Sequence, residues 1–399
     1  MSSPIARRSP GLIIFALSVG AFAIGTTEFA AMSLLPFFAA DLGISEPVAG
    51  HVISAYALGV VVGAPVIAVL AARLSRRTLL ISLMALFAVG NGLSGIAGNY
   101  QGLLVYRFIS GLPHGAYFGI ASLVVASMVP LDQRAQAISR MFLGLTIATI
   151  IGVPAANALG QLLGWRAGFL TVSVLAVATM TLVAIAAPHD RPSRHASPLR
   201  ELGALRNPQV LLTLLSGAIG FGGLFAVYTY VASTLIEVTG VSEAYVPLVL
   251  GVFGVGMTVG NLAAGKAADR ALERTAIAVF VWGAVSLALF PVMACNVWTL
   301  TLDMLLIGCA GGLGPVLQTR LMDVAGDAQA LAAAAHHSAF NLANALGPWL
   351  AGLAIAAGYG FTASGWIGTA LSLAGLAVFL AALGLERAGS RARSPAGGC

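Results

Sequence analysis

Charge is what this chain of 399 residues has least of. Asp, Glu, Lys and Arg together make up only 9% of it, against about 25% in an ordinary soluble domain. So few charges cannot coat a water-facing surface, which excludes a water-soluble globule. With 59% apolar residues and a mean hydropathy of +0.95, the chain reads as a polytopic membrane protein. Cysteine is scarce too. Cys295, Cys309 and Cys399 show no paired spacing and no His at ligand distance, so neither a disulfide framework nor a metal site is implied. Phosphate-binding loops are also missing. "GVFGVGMTVG" (251–260) imitates a dinucleotide loop but sits inside an apolar run. "GCAGGLGP" (308–315) lacks the Lys and Ser/Thr that a phosphate loop needs. The expectation is no cofactor, and an ion gradient rather than ATP as the driving force.

Apolar runs of about 20 residues, the length that crosses a bilayer as helix, are plentiful. They fall near 11–38, 48–71, 78–97, 103–128, 137–160, 168–187, 209–236, 245–267, 275–294, 298–322, 330–356 and 362–385, which makes twelve spans. The opening "MSSPIARRSP" imitates a signal peptide, but the run after it is too long and reads as a retained first span. With the N-terminus cytoplasmic, every Lys and Arg except Arg107 and Arg166 falls on inside segments. That bias is the positive-inside pattern. Both termini are therefore expected in the cytoplasm of a cell-membrane protein. The net charge of +6 then reports topology and anionic headgroups rather than a nucleic-acid partner. The polar stretch 187–209, rich in Pro, Ser and Arg, divides the chain. The expected organisation is a six-helix bundle over 1–187, a cytoplasmic linker over 188–208, a second bundle over 209–385 and a tail over 386–399.

The halves look duplicated. "AVLAARLSRR" (68–77) and "GKAADRALER" (265–274) align at an offset of 197 positions, pairing Ala71 with Ala268, Arg73 with Arg270 and Arg77 with Arg274. The same offset carries Gly111 and Gly115 onto Gly308 and Gly312. Both loops resemble degenerate copies of the G-x-L-A-D-R-x-G-R-R signature of the major facilitator superfamily. The second keeps Gly265, Asp269, Arg270 and Arg274, with Leu272 and Glu273 where Gly and Arg are usual. The first keeps Arg73, Arg76 and Arg77 but has Ala72 at the Asp position. "RFISGLPHGAYFG" from Arg107 resembles the span-four motif of that family, with Gly111 and Gly115 as spaced glycines. "GVPAANALGQLLGWR" resembles a loosened span-five antiporter motif through Gly152 and Pro154. "GTTEFAAMSLLP" (25–36) and "FAVYTYVASTL" (225–235) look like the sugar-efflux, chloramphenicol-resistance and nucleoside-efflux branch of drug/proton antiporters. The resemblance implies an all-α integral membrane fold of twelve transmembrane helices in two pseudo-symmetric six-helix bundles. It also implies gating loops around the two signatures, and a central cavity lined by spans one, four, seven and ten.

Few polar residues interrupt those four spans: Thr26, Thr27, Glu28, Arg107, His114, Tyr228, Tyr230 and Asp303. Glu28 lies about ten residues, roughly 15 Å of helix, from the outer end of its span, and His114 is similarly deep. An intramembrane acid costs several kcal/mol and marks a functional site by default. Glu28 is therefore the expected proton-coupling residue, with His114 as partner; the plainer readings are structural pairing for Glu28 and packing for His114. Thr27, Arg107, His114, Tyr228, Tyr230 and Asp303 form the expected substrate cavity. Arg107 is also shallow enough to snorkel outward, and Asp303 either opposes it or faces headgroups. Tyr228 and Tyr230, two apart, cannot both face the cavity. His336 and His337 read as structural, near the cytoplasmic end of span eleven.

The resulting expectation is a proton-coupled antiporter, not an enzyme, that exports a small organic solute. Its partners are the solute, protons and lipid, and it is a monomer. A symporter of the same fold is the alternative. A membrane enzyme or channel is disfavoured because no catalytic cluster appears and a nonspecific pore needs no repeat.

Overall fold

A bilayer core offers no water to backbone N–H and C=O groups, so an apolar run must satisfy them internally, as helix. The computed structural model describes residues 10–44, 46–71, 74–188, 203–242, 245–326 and 328–393, and these are helical without a strand among them. Arg73, most of the expected linker and the end of the tail lie outside the described residues.

Spans one to seven are Pro10–Ser33, His51–Ala71, Arg76–Gly95, Tyr100–Ala126, Leu131–Leu163, Trp165–Ala186 and Pro208–Val238. Spans eight and nine follow each other without a loop over Val246–Met293, a stretch of 48 residues. At about 1.5 Å per residue that is roughly twice the thickness of a bilayer core. It divides at Ala271, whose backbone leaves the helical region (φ −157°, ψ 77°). Spans ten to twelve are Val297–Val324, Gln329–Tyr359 and Ala363–Arg393, the last continuing past the expected end at 385. Helix starts follow side-chain chemistry. Asn99 accepts a hydrogen bond from Gly102 N at 2.8 Å to open span four. Asn296, 197 positions later, accepts from Trp298 N at 2.8 Å to open span ten.

The duplication is visible in packing. In span two, a Cβ added at Gly59 would strike the Phe108 carbonyl, and one at Gly63 would strike Leu112 of span four. In span eight, Gly256 stands the same way against Leu305, and Gly260 against Cys309, of span ten. Gly111 against Tyr56 is repeated as Gly308 against Phe253. Each pair of contacts is related by the offset of 197. Small residues let transmembrane backbones approach this closely, so Gly256 and Gly260 of the stretch that imitates a nucleotide loop are packing residues. Gly115 departs from its counterpart Gly312. It meets Ala334 of span eleven, in the other bundle, whereas Gly312 meets Gly260 within its own.

In span five the motif residue Pro154 has no N–H to give the ladder. The preceding turn, Ala148–Gly152, widens to π geometry, a form that recurs at functional sites. Gly152 lets span five close on Thr26 and Phe22 of span one.

Outside the spans, Asp41 ties the end of the short helix Leu35–Asp41 to span six. Its carboxylate accepts from Arg166 Nη1 at 2.7 Å and from Trp165 Nε1 at 3.1 Å. Those bonds hold the Asp41 carboxyl below its ordinary pKa. A depressed folded-state pKa adds stability above the unfolded value and loses it as pH falls through the folded one. Both groups are well exposed, so Asp41→Asn should cost only about 0.2–1 kcal/mol at neutral pH. In thermal melts the deficit should shrink as pH falls through the lowered folded-state pKa and vanish once the carboxyl is protonated in both states; an equal deficit at every pH would contradict this.

Candidate functional site

The two bundles touch at the end bearing the loops between spans two and three, four and five, and eight and nine, the arginine-rich end. Span five and span eight exchange hydrogen bonds there. Ser139 Oγ donates to Asn261 O at 2.5 Å, and Asn261 Nδ2 donates to Ser139 O at 2.8 Å. Gly265 permits the approach, since a Cβ there would strike Ser139. Asp269 completes the contact by accepting from Ala135 N at 2.8 Å and Gln136 N at 3.1 Å. These N–H groups open span five, where Gln133 gives no side-chain cap. An acid of one bundle thus caps a helix of the other, at the end where the helix dipole favours negative charge. The other copy of the motif has Ala72 in this place and no carboxylate to offer.

The remaining loop residues sort differently. Arg77 donates to Ala184 O at 2.6 Å within its own bundle. Arg76 stands in the first turn of span three. Arg270 and Arg274 are exposed. Glu273, where the motif has Arg, pairs with Arg320 at 3.6 Å and Arg387 at 3.4 Å, and Arg320 also pairs with Glu386. That departure therefore builds an ion-pair cluster joining the start of span nine to spans ten and twelve.

If Asp269 holds the arginine-rich end shut, Asp269→Ala should open it. A Cys placed at the buried Ser139 in a cysteine-free background should then react about tenfold or more faster with an impermeant thiol reagent. That is the order for losing two charge-assisted bonds; an unchanged rate would contradict it.

Beyond this contact lies a cleft between the bundles whose non-protein space, solvent-open part included, is about 750 Å³. Its walls come from spans one, four, five, seven, eight, ten and eleven, more than the four the resemblance implied. Most are apolar or aromatic: Phe29, Phe142, Leu145, Phe221, Leu224, Phe225, Tyr228, Phe253, Met257 and Phe340. The polar lining is Glu28, His114, Thr146, Thr149, Asn261, His337 and Asn341. Glu28 is the single carboxylate among these described lining residues.

Expected site residues separate into two groups. Glu28, His114 and Tyr228 reach the cavity. Tyr228 stands edge-on to Phe29 (centroids 6.3 Å), while Tyr230 turns away and donates to Pro348 O of span eleven at 3.1 Å. Thr27, Arg107 and Asp303 do not line it. Thr27 is fully buried and donates to Asn91 Oδ1 of span three at 2.6 Å, since the residue beside Glu28 points about 100° away around the helix. Arg107 is fully buried as well and does not snorkel. It donates to Thr27 Oγ1 at 3.0 Å, and its guanidinium lies over the rings of Tyr56 (4.3 Å) and Phe169 (5.1 Å). Asp303 is buried in the second bundle with both carboxyl oxygens lacking a hydrogen-bond partner.

His337, which the sequence reads as structural, is the lining residue the expected cavity set leaves out. It lines the cavity, with Nδ1 3.3 Å from Nε2 of His114, whose Nδ1 lies 2.9 Å from the Tyr56 hydroxyl. Its ring stacks on Phe118 at 4.2 Å. The one usable signal was depth: eight residues from Gln329, about 12 Å of rise, already reach mid-membrane.

Comparison with known proteins agrees with this architecture. The family model of the Major Facilitator Superfamily matches residues 17–272 and 231–398. An inner membrane transport protein of Escherichia coli K12, YdhP, is 41% identical over 92% of this chain and 95% of its own length. A chloramphenicol resistance protein of Streptomyces lividans is 33% identical over 85% of this chain and 88% of its own. Among solved structures, the proton:xylose symporter XylE superposes with a TM-score of 0.72 at 18% identity, covering 92% of this chain and 94% of that one, which speaks to the fold.

Proposed function

The chain belongs to the Major Facilitator Superfamily of membrane transporters, which are not enzymes, and on that premise we propose that it is a proton-coupled antiporter exporting a small organic solute. The observation that carries this reading is Glu28, the lone acid among the described residues lining an aromatic cavity between the two bundles. The arginine-rich end is the cytoplasmic one, and both termini lie there.

A charged carboxylate is costly in such a wall unless a cation or a proton offsets it. Arg107, behind the wall and anchored through Thr27, supplies part of that compensation, and the rest comes from a proton or from the solute. Proton and solute then compete for Glu28. The form described here is closed at the arginine-rich end, where Asp269 caps span five. Rocking of the bundles exposes Glu28 alternately to the two sides, so a proton entering from outside displaces solute that was taken up inside. His114 is the second proton-handling group, and Tyr228 contacts the solute.

The shape and lining suit a neutral or cationic amphipathic molecule, and the chloramphenicol resistance relative supports export of such compounds. Expression in an efflux-deficient host should lower the accumulation of at least one compound in a panel of phenicols, sugar derivatives and nucleosides. A protonophore should restore it. Accumulation unchanged across the panel, or export indifferent to the protonophore, would overturn the reading.

A further inference from the structure

The hydrogen bond between His114 and His337 joins span four of one bundle to span eleven of the other, so it cannot survive separation of the bundles along that seam. Its donors can be assigned by counting. If the Tyr56 O–H donates to His114 Nδ1, then His114 Nε2–H donates to His337 Nδ1, and one group is left over: Nε2–H of His337, which has no partner. That side chain lines the cavity. Run the other way, two groups are left over. One of them is the Tyr56 hydroxyl, 2% exposed and away from the cavity, where an unmade bond costs most. The first arrangement is the stable one.

We propose that His337 is a positioning residue. By accepting from His114 across the seam it fixes the His114 imidazole in the Nε2–H tautomer, and it latches the bundles together on the arginine-rich side. The inference rests on the proposed function for the meaning of His114, but the latch itself needs neither solute nor proton flow. Adjacent geometry serves the same seam. Gly115 admits the His337 Cβ and the Ala334 carbonyl, and Ser338 Oγ donates to Val60 O at 3.3 Å. While the latch is closed, both nitrogens of His114 are engaged. Parting of the bundles frees the Nε2–H donor of His114 to an acceptor on the cytoplasmic side, while Nδ1 keeps its bond from Tyr56.

The test is pulsed-EPR distance measurement on full-length protein in nanodiscs, without solute and at one pH. Spin labels go at Leu131→Cys and Ala388→Cys, both exposed, with Cys295, Cys309 and Cys399 replaced by Ala. His337→Phe keeps an aromatic ring but cannot accept. It should shift the closed-to-open ratio about 2- to 10-fold toward open, the range for one hydrogen bond. His337→Asn places an acceptor oxygen near the Nδ1 position and should stay within about twofold of wild type. Tyr56→Phe, which removes the donor at the other end of the relay, should move the ratio the same way as His337→Phe. A His337→Phe ratio equal to wild type, or an Asn variant displaced as far as the Phe variant, would overturn the proposal. Ratios shifted as expected in a wild-type background whose export ignores the proton gradient would overturn the antiporter reading and leave the latch standing.

Discussion

Glu28→Gln should yield a folded protein that no longer exports solute against its gradient when a proton gradient is imposed. The expected loss is about 100-fold or more, the order seen when a positioned proton-transfer group is removed. The amide is nearly isosteric, stays neutral at any pH, and leaves the aromatic lining of the cavity in place. Downhill solute exchange should therefore persist while uphill export disappears. Glu28→Asp keeps a titratable group one methylene further from the cavity and should retain a reduced but gradient-dependent rate. A Glu28→Gln protein with wild-type uphill export would show that the carboxyl is only structural.

Arg107→Leu should be the most damaging single change to stability. The guanidinium is fully buried, donates to Thr27, and stacks against Tyr56 and Phe169. Its removal leaves Thr27 without that donor and opens a gap between two rings. Deleting a large buried side chain and leaving a cavity costs about 3–5 kcal/mol. The melting temperature in detergent should fall by about 10 °C on the scaling of medium-sized domains. Arg107→Lys retains a charge but neither the planar fork nor the stacking, and should fall between the two. A Leu variant as stable as wild type would mean that Arg107 is idle.

The spans were legible because a bilayer permits so little else: apolar length alone marks a crossing, and the arginines order the ends. The repeat was legible too, since Gly59 and Gly256, or Asn99 and Asn296, do the same work 197 positions apart. Side-chain direction was not. In a soluble helix the polar face reveals which way a residue points, but here the lipid face and the packing face are both apolar. Nothing in "GTTEF" says that Glu28 faces the cavity while Thr27 faces Asn91. Arg107 looked shallow enough to reach the surface because its cradle of Thr27, Tyr56 and Phe169 comes from three other spans. His337 reads as structural in the sequence for the same reason: its partners, His114 and Phe118, lie more than two hundred positions away and in the other bundle. Asp269 was named for its motif, but its partner, the uncapped start of span five, becomes visible only in three dimensions.

The central claim is that solute and proton take turns at one carboxyl and so move in opposite directions. The most direct test uses purified protein in liposomes loaded with a pH-sensitive dye, with no initial pH difference. The solute with the strongest protonophore-sensitive export in cells is added outside. Solute entry should drive protons out and make the interior alkaline, and Glu28→Gln liposomes should show no such change. Interior acidification would mean that solute and proton travel together, and a flat trace from wild-type protein that visibly transports solute would mean that no proton is exchanged at all.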